Sequence, residues 1–97
     1  MDITDKTYRK NPDIVFRKIA HERILVPIRH KVGDLDSIYV LNEVSARIWG
    51  LIDGKKCVGV IKSTLLEEFE VEENELDEDL SGFLEEAQEL GLLIPQS

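Results

Sequence analysis

A single cysteine, Cys57, excludes an intramolecular disulfide, and with His21 and His30 as the only histidines a structural zinc site is short of soft ligands. No nucleophile signature surrounds the thiol, so it reads as a small, partly buried apolar side chain. No run approaches the roughly 18 apolar residues of a membrane span. Residues 1–10 are charged throughout, where a signal peptide would have a continuous apolar stretch, and a cytoplasmic protein is expected. Internal repeats, low-complexity segments, glycine-rich phosphate loops and metal-ligand spacings are all missing. No cofactor is expected.

Positive charge is absent from the last third. Residues 64–97 hold twelve Asp/Glu and no Lys/Arg, residues 34–63 hold four of each, and residues 1–33 hold eight Lys/Arg against four Asp/Glu. The formal net charge is −8. A basic surface including Arg9, Lys10, Arg17, Lys18, Arg23, Arg29 and Lys31 could attract an acidic partner, although a solvated strand surface also explains such residues.

What is present is one domain's worth of apolar residues, 42% of 97. Residues 1–11 are polar and precede Pro12, so they read as a flexible arm before a domain spanning 12–97. Residues 14–20 and 22–28 are rich in Ile and Val; in the second, Ile24, Val26 and Ile28 alternate at the strand period. The two should pair as a hairpin turning near residues 20–22. Gly33-Asp34 marks a second turn, and residues 37–41 a third short strand.

Helices follow. Asn42 suits the N-cap of a helix to about Ile52, with Val44, Ile48, Leu51 and Ile52 on one face and Trp49 beside them. Asp53-Gly54 ends it. A second helix over about 58–69 places Val58, Ile61, Leu65, Leu66 and Phe69 at helical spacing. In a third, Leu76, Leu80, Phe83, Leu84, Ala87 and Leu90 recur every three or four residues, and Gly91 closes it. The fold class is α+β: a three-stranded antiparallel sheet that cannot bury a face alone, followed by three helices that cover it.

Three segments in this order carry a family resemblance over about residues 12–94. They are the strand-to-helix passage Leu41-Asn42-Glu43 through Asp53-Gly54, the second helix from Val60-Ile61 to Leu65 and Phe69, and Asp79-Leu80-Ser81-Gly82-Phe83-Leu84 with Leu90-Gly91-Leu92-Leu93. Together they resemble the PqqD family of pyrroloquinoline quinone biosynthesis and the wider set of peptide recognition elements built on a winged helix-turn-helix plan. One departure is visible: the family usually caps its second helix with threonine, and Cys57 is a poor cap. The start of that helix is therefore the weakest point of the match.

The resemblance implies a non-catalytic, chaperone-like protein. It would bind the leader segment of a ribosomally made precursor peptide as an added strand and present it to a modifying enzyme such as a radical S-adenosylmethionine protein. The implied walls are Ser37, Ile38, Tyr39, Val40 and Leu41 on the third strand, and Leu80, Phe83 and Ala87 on the third helix. Core packing accounts equally for the helix residues, and for Leu80 and Leu84 it is the stronger account. Strand pairing between copies would give a homodimer.

Rival functions fare worse on the residues. A winged helix could bind DNA, but phosphate contacts need Lys or Arg on the inserted helix, and the third helix has none. Carboxylate neighbours such as Glu85/Glu86 point apart on a helix and fit a solvated acidic face better than acid/base catalysis. A regulatory module with another target stays open, since it shares the fold and differs only in ligand.

Overall fold

The computed structural model describes residues 3–28 and 38–96. After a short 3-10 turn (Ile3–Asp5) come strands β1 (Thr7–Lys10), β2 (Ile14–Ile19), β3 (Glu22–Pro27) and β4 (Tyr39–Leu41). Helices α1 (Glu43–Leu51), α2 (Val58–Glu68) and α3 (Glu73–Glu89) follow, then β5 (Leu93–Gln96). The expected α+β plan with a three-stranded antiparallel sheet, ordered β2-β3-β4, and three helices is present. The Gly33-Asp34 turn lies outside the described residues.

The β2–β3 hairpin turns through Ala20 and His21, from Ile19 opposite Glu22. Two-residue hairpin turns need positive φ at the first central position, which normally selects glycine. Ala20 sits there with φ 55°, a left-handed conformation that costs an L-residue roughly 1–2 kcal/mol.

Residues directly opposite one another share a sheet face. Leu25, opposite Phe16 and Tyr39, is fully buried, and Leu41, on the same face opposite Arg23, joins it in the core beneath the helices. Ile24, Val26 and Ile28, whose alternation marks the strand in the sequence, point the other way. Ile24 is 8% exposed yet stands outside the core cluster, and Ile28 and Val40 on its face are exposed.

α1 begins where β4 ends. Asn42 accepts a hydrogen bond from the Ser45 backbone N–H (2.8 Å) and donates its own N–H to the Ser45 hydroxyl (3.0 Å), a reciprocal capping box. Ile48, Trp49, Leu51 and Ile52 are buried as the spacing requires, packed with Ile61 and Leu65 of α2 and Leu76, Leu80, Phe83, Leu84 and Ala87 of α3. Leu66 and Leu90 fit the helical spacing but lie at the surface. α3 ends in a Schellman arrangement: Gly91, at φ 77°, donates to the Gln88 carbonyl (3.1 Å) and Leu92 to that of Ala87 (2.8 Å).

The arm expected to be flexible is built into the fold. β1 pairs antiparallel with β5, Thr7 to Gln96 through Lys10 to Leu93, and Tyr8 is 5% exposed within the core. Lys10 lies 5.4 Å from the centre of the Trp49 ring, and Asn11 ties the strand to the α3 terminus by bonds to the Gly91 and Leu92 carbonyls. The reason is backbone demand: β5 needs a ladder partner, and α2 lacks a side-chain cap at Cys57. The Lys6 carbonyl accepts the Val58 N–H at 2.8 Å instead. α2 therefore starts at Val58, where the hydrophobic spacing puts it.

Two substitutions check these points in urea unfolding. Tyr8→Ala should lose about 3 kcal/mol of stability, as for other large buried aromatics, whereas a loose arm would leave stability unchanged. Ala20→Gly should gain about 0.5–1 kcal/mol, the left-handed strain relieved less the added freedom of the unfolded chain.

Candidate functional site

A strand residue directs its N–H and C=O to one side, and the side alternates along the strand. The Ile28 N–H donates to the Asp13 carbonyl at 2.6 Å, which continues the β2–β3 register and makes 13 and 28 a hydrogen-bonded pair. By alternation Ile24 faces β2, while Leu25 and Arg23 face β4. Tyr39 opposite Leu25 and Leu41 opposite Arg23 are then the hydrogen-bonded pairs of the β3–β4 ladder. Val40, opposite Ile24, turns both backbone groups to the outer edge, where no strand lies among the described residues. Val40 is 60% exposed.

Beside that edge is a cavity of about 350 Å³, lined by Tyr39, Val40, Leu41, Asn42, Val44, Ser45, Ile48, Asp79, Phe83 and Glu86. Its floor is apolar: Ile48, Leu41 and Phe83 are buried, and the Tyr39 and Phe83 rings meet edge-on at 6.2 Å and 63°. Its rim is acidic, from Asp79 and Glu86. Burial pushes the Tyr39 phenol above its ordinary pKa, and the Glu86 carboxylate adds to this through its charge and by accepting a hydrogen bond. The capping box fixes the corner where edge strand and helix meet.

Of the residues singled out from the sequence, Tyr39, Val40, Leu41 and Phe83 come together here. Ile38 is exposed next to the edge and does not line the cavity. Leu80 and Ala87, 2% and 0% exposed, lie in the core. Ser37 lies outside the described residues. Sequence reasoning missed Val44, Ser45 and Ile48, which the Asn42 cap swings beside the strand end. It also missed Asp79 and Glu86, which stand four residues before and three after Phe83 and so share its face. That spacing was available in the sequence.

Among the described residues no group of three or more His, Cys, Asp or Glu could hold a metal ion, and no helix among them is long and apolar enough to cross a membrane. The Arg47–Glu68 pair, with two contacts of 2.7 Å, joins α1 to the end of α2. Lys62 reaches α3, bonded to Glu73 and Asp77 at 2.7 Å each, and these carboxylates push its pKa up to about 12. Neither pair reaches the cavity.

No curated protein matches the chain. Among solved structures, TbiB1 in complex with the TbiA(beta) leader peptide is similar, with a TM-score of 0.69 and 25% sequence identity over 88% of this chain and 93% of that one. The family model for coenzyme PQQ synthesis protein D matches residues 23–93, which include the open edge strand, the capped corner and both cavity-lining helices. With that match spanning well over half of its length, the chain belongs to the PqqD family.

Proposed function

We propose that the chain is a non-catalytic recognition element that binds the leader segment of a ribosomally made precursor peptide as an added strand on β4. The observation that carries this reading is the outward N–H and C=O of Val40 beside a cavity floored by Phe83. Strand addition needs both: unpaired backbone groups to set register, and sockets for alternate side chains to give selectivity. TbiB1, similar over most of both chains, holds a leader peptide, and family membership supports the same reading here.

Magnitudes assign the parts their shares. A ladder hydrogen bond contributes a net of about 0.5–1.5 kcal/mol, while ordering each guest residue costs about 1–2 kcal/mol. These nearly cancel. Micromolar affinity needs about 8 kcal/mol, so two or three apolar guest residues worth about 1.5–3 kcal/mol each must be buried. Phe83 and Tyr39 form the socket for one of them, with Leu41 in its floor, and Ile38, exposed next to the edge, extends the strand contact. Leu80 and Ala87 act from beneath, by fixing where α3 stands.

The chemistry then belongs to a partner, a radical S-adenosylmethionine protein or another peptide-modifying enzyme, working with this protein in the cytoplasm. DNA binding is disfavoured, because α3 carries no Lys or Arg and its acidic surface repels phosphate.

Val40→Pro removes the outward N–H without costing the β3–β4 ladder a bond. The variant should keep its thermal midpoint within a few degrees and lose about tenfold in affinity, measured by calorimetry against the leader of a precursor encoded nearby, as expected for about 1.4 kcal/mol. Unchanged affinity in the folded variant would count against strand addition.

A further inference from the structure

The walls of the cavity differ in charge from what a neutral or acidic guest requires. Asp79, Phe83 and Glu86 share one face of α3, and at 1.5 Å per residue the two carboxylate positions stand about 10 Å apart with the aromatic ring between them. No lining residue is Lys or Arg, and α3 has none along its length. Lys62, which reaches α3, is engaged by Glu73 and Asp77. Asp79 is exposed with no ion pair among the described residues, and Glu86, though it accepts from Tyr39, keeps further lone pairs for a second donor.

We infer that the guest segment is cationic as well as apolar: an aliphatic or aromatic anchor on Phe83, with Lys or Arg two residues away on at least one side, its head group meeting Asp79 or Glu86. This rests on the reading of the cavity as the leader socket. In an extended guest, side chains facing the groove recur every second residue, about 6.7 Å apart. An anchor over Phe83 therefore brings its groove-facing neighbours toward the two carboxylates, and the long stems of Lys and Arg can lie along the apolar floor while the charge stays at the wet rim. A Glu or Asp at the same place would meet like charge without a counter-ion.

A random heptapeptide library displayed on phage, selected on the full chain at low salt, tests this. Captured peptides should be enriched in Lys or Arg two residues from an apolar residue. The Asp79→Asn/Glu86→Gln double variant, altered only at exposed positions, should keep the apolar preference and lose the cationic one. For a captured peptide, Lys→Arg should preserve affinity by fluorescence anisotropy. Lys→Glu should weaken it about tenfold, less so at high salt, the behaviour of a charge-assisted contact at a solvated rim. Captured peptides that are apolar but neutral or acidic, and weakened about tenfold by Val40→Pro, would overturn the charge rule while leaving the groove in place. Capture with an affinity unchanged by Val40→Pro, or no capture at all, would remove both the groove reading and the rule built on it.

Discussion

A strand residue can offer its backbone to one neighbour only, and the direction alternates without exception along an unbulged ladder. That constraint fixes what this protein can do. The hydrogen-bonded pair at Asp13 and Ile28 commits Ile24 to β2, which commits Leu25 and Arg23 to β4, which leaves Val40 facing outward. A one-residue slip in either ladder would turn Val40 inward and send the Tyr39 and Leu41 side chains away from the helices. The groove depends on register before it depends on any side chain.

The remaining elements hold that edge against something rigid. The Asn42–Ser45 capping box turns the chain from β4 into α1 without a loop, so Val44 and Ile48 arrive beside the strand end. α3 supplies the opposite wall, and its place is set by Leu80, Leu84 and Ala87 in the core. β1 and β5 pack against the helices: Tyr8 fills the core, and the Lys6 carbonyl serves α2 where Cys57 provides no side-chain cap.

Most of the architecture was legible in the sequence because its signals are local. Asn42 before an apolar 3.6-residue pattern, and Gly91 after another, mark helix ends through backbone chemistry that tertiary context seldom overrides. Two features were not legible, and both are long-range. Residues 24–28 read Ile-Leu-Val-Pro-Ile, apolar at every position, so periodicity identifies a strand there without saying which face is inward; Leu25 won the core. The partner of β1 lies more than eighty residues along the chain, and a polar segment whose one large aromatic is buried gives no local sign of it. At the site, Tyr39, Val40, Leu41 and Phe83 followed from family resemblance. The acidic rim of Asp79 and Glu86 followed from helical spacing that points to a face but not to what the face meets.

Hydrogen exchange at the Val40 amide tests the central claim most directly. In the free protein this amide should exchange quickly while the Tyr39 and Leu41 amides, bonded to β3, are protected. On saturation with a precursor's leader peptide it should become protected to the level of its neighbours. A Val40 amide already slow in the free protein, or still fast in the saturated complex, would contradict an open edge that is filled by the guest.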